Sequence, residues 1–517
     1  MKLINNRNIY KTAFALSFIL ISVFTMLGIG RVLDYLNTGA SRTSMLHLET
    51  ESEDVYLPKV SWTNLVNPAR EMEKNTLGKL ERDYLFSWYV KNNALEHNTS
   101  KGIADYYTQN TRHNLYQTVN YNKAHDITIQ NTTLKHFPDL EFYSEDGQLV
   151  VFKDRNVIEY QKVYQNKKLL SIVQDTASYQ VMMLLEDGFW RVRHLLKMDA
   201  EPFIKDSIQP HPIYSVSKNK ILKNNKPYTI KGINYYPKNS AWDTFGERFN
   251  KDTIAQDFDI IKKANLNTVR IFIQYGDFGK AVIHPEKMQK LKTFLDLAQA
   301  KDLAVIVTLF DFYSDYTLES WTLTHRHAEN IVSTFKDHKA ILAWDLKNEP
   351  NLDFENRDKG NVLAWLEHMT TVIKENDPNH LLTIGWSNSV EATNLADKVD
   401  FISYHFYNDI THVEYETNKL MKSTQKPVVI EEFGIPSYGG IWNFWESSIQ
   451  KQADYHKQIQ TYFKKNDYSF MSWTLYDFPQ VPDQVAGRWP WQKYRQKKFG
   501  FIDEKGTNKP AFKYISN

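Results

Sequence analysis

Eight short, apolar, β-rich runs recur along the second part of the chain, and helical patterns fill most of the gaps between them. Strands that alternate with helices predict βαβ units and therefore a parallel sheet. Eight such units favour a closed (β/α)8 barrel, because an open sheet usually has about 4–6 strands. The predicted strands are Lys231–Tyr236, Thr268–Ile273, Ala304–Phe310, Ile341–Lys347, Leu381–Trp386, Phe401–Phe406, Val428–Glu432 and Phe470–Leu475.

A smaller unit of different character precedes the barrel. A helical pattern begins near Leu77, and short alternating runs follow between Ile127 and Leu196. The dipeptides Asp146-Gly147 and Asp187-Gly188 separate such runs and are hairpin signals. We therefore predict an α+β fold for the accessory domain and an α/β barrel for the rest. The domain boundaries follow as 71–205 for the α+β domain and 206–517 for the barrel.

The first residues predict a membrane anchor. Residues 1–12 are basic, and residues 13–30 contain no charged side chain. A mainly apolar segment of eighteen residues can span a bilayer, and the positive-inside rule keeps the basic flank cytoplasmic. We expect residues 31–70 to be a juxtamembrane spacer and the catalytic barrel to lie on the periplasmic or extracellular side. A cleaved signal peptide and a buried helix are the alternatives.

Charge and cysteine content exclude several classes of function. The chain has 63 Lys and Arg against 61 Asp and Glu, so it has no basic footprint for nucleic acid. It contains no cysteine, which removes disulfides, thiolate nucleophiles and thiolate metal sites. The pair His325 and His327 suggests zinc only superficially, and we expect both side chains at the solvated surface. No cofactor or metal is predicted.

Two carboxylates stand at the carboxyl ends of predicted strands, where barrel enzymes carry their chemistry. Glu349 follows the fourth strand and Glu432 ends the seventh. Cleavage of a glycosidic bond uses such a pair, one to protonate the leaving oxygen and one to attack the anomeric carbon or activate water. Glu431 remains a rival for the second role, because its neighbours on both strand faces are apolar.

Three motifs of the barrel resemble glycoside hydrolase family 5, within the clan A retaining glycosidases. The run LAWDLKNEPN from Leu342 to Asn351 is similar to the acid/base signature of that family. Glu432-Phe433-Gly434 is similar to its nucleophile motif. The closing runs Phe499–Asp503 and Lys509–Ala511 are also typical. The resemblance covers residues 212–517 and implies a cellulase-like hydrolase with a TIM barrel fold.

The resemblance implies a role for each residue at the strand ends. Glu349 would be the general acid/base, with a raised pKa, and Glu432 the nucleophile. Asp311 stands where many family members have a histidine, which bears on the choice of sugar. The substrate-binding residues are expected to be Arg270, Asn348, His405, Tyr407, Trp473, Asp311 and Trp491.

The run YQVMMLLEDGFWRV, from Tyr179 to Val192, resembles the last hairpin of nuclear-transport-factor-2-like α+β domains. Such domains serve as enzymes and as packing modules, so this resemblance implies no activity. We expect a scaffold or docking role for residues 71–205.

Together these features predict a membrane-anchored retaining glycoside hydrolase that cleaves β-linked polysaccharide, glucan or mannan-like, by internal cleavage. One alternative is a transglycosylase of the same fold. Another is a non-catalytic component that binds glycan within a polysaccharide export system. The expected partners are a β-linked glycan, the membrane and a polysaccharide synthase or export machinery, with no nucleic acid.

Overall fold

The computed structural model describes residues 14, 16–18, 20–25, 28, 55–67, 70–201, 212–438 and 448–516. Eight parallel strands close into a barrel in chain order, and the last strand pairs with the first. The predicted (β/α)8 architecture is therefore confirmed. The barrel strands are β9 (Lys231–Asn234), β10 (Thr268–Gln274), β11 (Ala304–Asp311), β12 (Ile341–Asn348), β13 (Leu381–Trp386), β14 (Ile402–Phe406), β15 (Val428–Phe433) and β16 (Ser469–Ser472).

Helices surround the barrel and pack apolar faces against its strands. The outer helices are α4 (Lys251–Lys263), α5 (Pro285–Ala300), α6 (Trp321–Phe335), α7 (Lys359–Asn376), α8 (Val413–Ser423) and α9 (Ile449–Asn466). Two short helices, α10 (Asp483–Ala486) and α11 (Pro490–Gln496), lie in the connection after β16. The central strands are buried throughout, as expected for a parallel sheet covered on both faces.

A small antiparallel sheet closes the bottom of the barrel. Its strands are β6 (Tyr214–Ser217), β7 (Lys220–Lys223) and β8 (Lys226–Pro227). Tyr214 and Ile221 join a buried cluster with Ile306 of β11, Val429 of β15 and Met471 of β16. This apolar floor leaves the opposite end of the barrel open for the site.

The α+β unit combines three helices with a sheet that is mainly antiparallel. From residue 149 to residue 199 the structure has three strands. The sequence shows five short alternating runs there, because two pairs of runs are continuous in the structure. The runs are Leu149–Phe152, Val157–Val163, Leu169–Val173, Tyr179–Leu185 and Trp190–Leu196. Asn156 adopts a left-handed backbone (φ 50°) at a register shift that lets β3 continue. The elements are β1 (Lys59–Val60), α1 (Lys74–His97), α2 (Ile103–Tyr106), α3 (Gln109–Ala124), β2 (Ile127–Tyr143), β3 (Leu149–Gln165), β4 (Lys168–Glu186) and β5 (Phe189–Asp199).

The sheet of this unit packs against α6 and α7 of the barrel. The ring of Tyr160 on β3 lies 4.6 Å from the ring of Trp321 on α6. Lys135 on β2 forms an ion pair of 2.7 Å with Glu375 on α7, and Lys59 on β1 pairs with Glu329 on α6. Residues 55–67, assigned to the spacer by the sequence, therefore join the folded part of the chain.

The packing of α6 overturns one expectation. His325 and His327 on α6 are buried, and the prediction that both lie at the solvated surface is wrong. Nδ1 of His327 lies 2.7 Å from the carbonyl oxygen of Lys280, and burial lowers the pKa of this imidazole to about 4. Burial also lowers the pKa of His325, with help from the charge of the neighbouring His368.

The N-terminal predictions concern residues that the structure describes only in part. Residues 1–12 lie outside the described residues, as do several of the predicted span 13–30 and most of the predicted spacer 31–70. In the part of the chain that is described, we find no helix with the length and apolar character needed to cross a bilayer.

Candidate active site

The carboxyl ends of the barrel strands surround a cleft of about 830 Å³. Most of the predicted site residues meet there, and two of them, Arg270 and His405, are buried beneath its surface. Trp491 belongs to α11, and its side chain lies outside the described part of the structure. The predicted residues that line the cleft are Asp311, Asn348, Glu349, Tyr407, Glu432 and Trp473.

Glu349 occupies the turn that ends strand β12. Its backbone is left-handed (φ 46°), and its N–H donates a 2.7 Å hydrogen bond to the carbonyl oxygen of Gly385 at the neighbouring strand. A left-handed backbone at a residue other than glycine is strained, and such strain persists where surrounding contacts hold it. Oε1 of Glu349 lies 2.8 Å from Nδ1 of His405.

Glu432 is fixed from two sides. The hydroxyl of Tyr407 donates a 2.5 Å hydrogen bond to Oε1, and Nη1 of Arg270 lies 3.3 Å from Oε2. Both donors stabilise the ionised carboxylate, which is the form a nucleophile needs. Glu431, the rival from the sequence, is fully buried and does not line the cleft. Of these two adjacent glutamates, Glu432 is therefore the one that a ligand in the cleft can reach.

Arg270 is held by a network that the sequence predicts only in part. Its Nη2 lies 2.6 Å from Oδ2 of Asp345 and 2.9 Å from Oδ1 of Asn348, and its Nη1 lies 3.1 Å from Oδ1 of Asn234. Sequence reasoning missed Asp345. The available signal was a charged residue inside an apolar strand, because a buried charge requires a partner.

His405 connects the two glutamates. Its Nδ1 lies 2.8 Å from Oε1 of Glu349 and 3.6 Å from Oε2 of Glu432. Burial lowers the pKa of this imidazole, but the charges of Glu432 and Glu349 and the hydrogen bond to Glu349 outweigh burial, so the pKa is raised. The imidazole of His405 therefore faces both carboxylates, and their negative charges favour its protonated form.

The expected raised pKa of Glu349 is wrong for this structure. Burial raises the pKa of this carboxyl, but the hydrogen bond and charge of His405, together with the charges of Arg270 and Lys347, produce a net lowering. Burial instead raises the pKa of Glu432, with a further contribution from the charge of Glu349. The pair Glu349–His405 therefore shares a proton that resides mainly on the imidazole.

Asp311 ends strand β11 and lines the cleft, although only 4% of its surface is exposed. Burial raises the pKa of its carboxyl to about 7, while the positive charges of Lys347 and Arg270 oppose the rise. A buried carboxyl at the cleft surface is a group that sugar hydroxyls can satisfy. Burial of the ionised form of Asp311 also lowers the stability of the fold, by an amount that depends on pH.

That cost gives a measurable prediction for Asp311→Asn. The pKa is near 4 in the unfolded chain and about 7 in the fold, so stability present below pH 4 is lost as the pH rises through 7. The variant should therefore gain on the order of 2–4 kcal/mol over wild type on going from pH 4 to pH 8. Urea unfolding at both pH values measures this.

The exposed Asp397 provides the control for that experiment. Asp397→Asn should follow the wild-type pH dependence. An equal stability difference between Asp311→Asn and wild type at pH 4 and pH 8 would contradict the raised pKa.

Aromatic side chains form one wall of the cleft. Trp473 packs against Trp242 at 5.8 Å and Phe272 at 6.1 Å between ring centroids, and these rings belong to a buried aromatic cluster. Aromatic faces bind the apolar C–H surfaces of sugars at low entropic cost. The cleft also contains residues that the sequence did not predict as site residues. These are Tyr236, Phe312, Ser314, Lys347, Leu352, Asp353, Val485, Ala486, Gln492, Arg495, Gln496 and Phe499.

A second cluster of potential ligands lies away from the cleft. Among the described residues, Glu96, His97 and Glu319 bring their ligand atoms within 4.8 Å of one another. His97 and Glu319 are exposed. Such surface groups commonly exist without a metal, and they are separate from the paired glutamates.

Two glutamates meet one histidine at the open end of a (β/α)8 barrel, and a carboxylate pair of this kind suits the cleavage of glycosidic bonds. Residues 222–479 match the model of a known family, described as cellulase (glycosyl hydrolase family 5). The barrel of this chain belongs to glycosyl hydrolase family 5.

Individual relatives are distant. The chain is 24% identical to human beta-glucuronidase over 53% of its own length and 42% of that protein. It is 27% identical to the putative mannan endo-1,4-beta-mannosidase 4 of Arabidopsis thaliana, over 28% of the chain and 46% of the relative. The chain thus spans less than half the length of these curated relatives. The endo-1,4-beta-mannanase structure from Rhizomucor miehei is 16% identical with a TM-score of 0.44, covering 59% of this chain and 97% of that one.

Proposed function

We propose that the protein is a retaining, internally cleaving β-glycanase that acts on a glucan or mannan-like polysaccharide. The observation that carries this proposal is the contact of Glu349 and Glu432 with the same nitrogen of His405 inside an open cleft. Oε1 of Glu349 and Oε2 of Glu432 lie 2.8 and 3.6 Å from this nitrogen, so the distance between these two oxygens cannot exceed the sum of the two contacts. Such closeness favours retention, since inverting enzymes separate the pair by about 6.5–9.5 Å.

The reaction proceeds in two displacements. An oxygen of Glu432 bonds to the anomeric carbon while the glycosidic C–O bond breaks, and the leaving oxygen takes a proton from Glu349. Water then attacks the anomeric carbon of the glycosyl-enzyme, Glu349 accepts the proton of that water, and the carboxylate of Glu432 leaves. Tyr407 and Arg270 stabilise Glu432 as an anion at the start and at the end.

The proton for the first step comes from the Glu349–His405 pair. The 2.8 Å contact lets the proton lie on either partner. When a sugar fills the cleft and excludes water, the leaving oxygen competes for the proton of Glu349. The acid form of Glu349 is then drawn from the pair as the glycosidic oxygen gains negative charge.

The shape of the cleft supports a polymeric substrate. Its volume of about 830 Å³ is larger than one sugar needs, and its aromatic wall extends from Trp473 to Phe499. The match to the cellulase family and the similarity to mannan endo-1,4-beta-mannosidases favour a β-1,4-linked backbone. Asn348 offers its amide nitrogen to a sugar hydroxyl, because its amide oxygen already accepts from Arg270.

Proton NMR of the first products tests the double displacement. Cleavage of a β-glycan should release the β-anomer first, followed by slow mutarotation. Release of the α-anomer first would mean inversion and would contradict the role of Glu432 as nucleophile.

We further propose that residues 13–30 anchor the chain, with the barrel outside the cytoplasm beside a polysaccharide synthase or export machinery. The uncharged segment after a basic flank supports this proposal. Protease added to intact cells that lack an outer permeability barrier should degrade the barrel. A fully protected barrel would contradict the proposal.

A further inference from the structure

Glu431 is a buried carboxyl that the double displacement does not use. None of its surface is exposed, and neither carboxylate oxygen has a hydrogen-bond partner among the described residues. Its backbone carbonyl oxygen accepts a 3.0 Å hydrogen bond from Nδ2 of Asn234, which fixes the strand at this residue. A buried carboxyl without a hydrogen-bond partner is costly, and its persistence beside the nucleophile calls for a reason.

Three polar groups converge above Gly385 of strand β13. A methyl group added at this glycine would lie 2.8 Å from Oε2 of Glu431, 2.9 Å from Nη2 of Arg270 and 3.3 Å from Nε2 of His405. Nε2 of His405 also has no partner among the described residues. Glu431 and the second nitrogen of His405 therefore face the same small space behind the catalytic pair.

The charges around Glu431 decide its protonation. The single positive charge of Arg270 lies 2.6 Å from Asp345, 3.3 Å from Glu432 and 3.7 Å from Glu431. Arg270 and the protonated imidazole of His405 supply two positive charges against the three carboxylates of Asp345, Glu432 and Glu349. A further anion at Glu431 would therefore have no cation of its own. The charged and titratable groups that face Glu431 are Arg270, Asp345, His405 and Glu432.

The pKa of Glu431 is raised to about 7, because burial and the charges of Asp345 and Glu432 outweigh the opposing charges of Arg270 and His405. This agrees with the charge count, which favours a proton on Glu431 below neutral pH.

We propose that Glu431 is a positioning residue for the acid/base: while it holds a proton, it presents no charge to Nε2 of His405 and thereby leaves the shared proton available to Glu349. This inference rests on the proposed function, because it concerns the supply of the proton in the first displacement. Glu431 touches neither the cleft nor the reacting atoms, so it acts through His405.

Ionisation of Glu431 has the opposite effect. The carboxyl proton passes to solvent, and the new anion stabilises the imidazolium form of His405. The proton of the pair then stays on His405, Glu349 remains an anion, and the leaving oxygen has no acid. Activity against substrates with poor leaving groups should fall as Glu431 titrates.

Glu431→Gln tests this role, because the amide has nearly the same shape and cannot ionise. At pH 5.5 we expect kcat/KM within about threefold of wild type. The alkaline limb of the pH profile should move upward by at least one pH unit. Glu367→Gln, at a half-exposed glutamate on α7, is the matched control and should keep the wild-type profile.

An unchanged alkaline limb would overturn the proposal, and so would a loss beyond 100-fold at every pH, since that would mean Glu431 works as an anion. If Glu431→Gln does not fold, infrared titration of the Asp311→Asn variant decides, because that background removes the carboxyl of Asp311, whose pKa of about 7 would overlap that of Glu431. A protonated carboxyl band lost near pH 7 supports the proposal, and its absence between pH 5.5 and 8 overturns it. This spectrum needs no substrate, so it stays informative even if no β-glycan is cleaved.

Discussion

Glu432→Gln should abolish turnover, with a loss in kcat on the order of 10⁴–10⁶-fold. The amide removes the nucleophile while preserving the shape of the side chain, so no glycosyl-enzyme can form. Tyr407 and Arg270 would keep their places but would face a neutral group. The measurement is release of a chromogenic aryl group from an activated β-glycoside that the wild-type enzyme cleaves.

Glu431→Gln is the matched control, because it makes the same chemical change one residue earlier in the chain. We expect that variant to remain active at pH 5.5 while Glu432→Gln is inactive. The reverse pattern, with Glu431→Gln inactive and Glu432→Gln active, would transfer the nucleophile role to Glu431. Circular dichroism of both variants establishes that the barrel is folded.

Glu349→Ala should lower kcat/KM by about 10²–10⁴-fold on a substrate whose leaving group needs a proton. The loss should be much smaller on an activated aryl glycoside, since an acidic phenol departs without help. Added azide should restore part of the rate on the activated substrate, because the small anion enters the space left by Glu349 and attacks the glycosyl-enzyme. A glycosyl azide of retained β configuration is the expected product.

Asn351→Ala provides a control at the same strand end, where Asn351 contacts Ser387 rather than the catalytic pair. Azide should not raise the rate of this variant, and its rates on the two kinds of substrate should match those of the wild type. Full activity of Glu349→Ala on both kinds of substrate would contradict its assignment as the acid/base.

The barrel could be predicted from the sequence because its signal is local and repeated. Each strand is an apolar run of four to eight residues, and a helical pattern separates most runs from the next. The observed strands differ from the predicted ones by a few residues at their ends, because the hydrogen-bonded ladder and not apolar character decides where a strand stops. Strand β16 ends at Ser472, although the apolar pattern runs on to Leu475.

The choice between Glu431 and Glu432 could not be made from alternation along the strand. The ladders of β15 shift register on both sides, between Tyr404 and His405 and between Ile430 and Phe433. Such shifts break the strict alternation of faces on which a sequence argument relies. Only the assembled barrel reveals that Glu432 reaches the cleft.

Burial created by distant parts of the chain was also beyond sequence reasoning. His325 and His327 look like surface residues of an outer helix, but long-range packing buries them. His325 lies on the helix that faces the α+β unit, and His327 packs against Phe310 of the barrel. The lowered pKa of Glu349 has a similar origin, because His405 is 56 residues away in sequence.

The central claim is that this cleft hydrolyses a β-linked polysaccharide with Glu432 as nucleophile. The most direct measurement is release of reducing ends from soluble β-glucans, mannans and xylans by the wild-type enzyme and by Glu432→Gln. We predict release from a glucan or a mannan by the wild type and none above background by the variant. No release from any of these polymers, or equal release by both proteins, would contradict the claim.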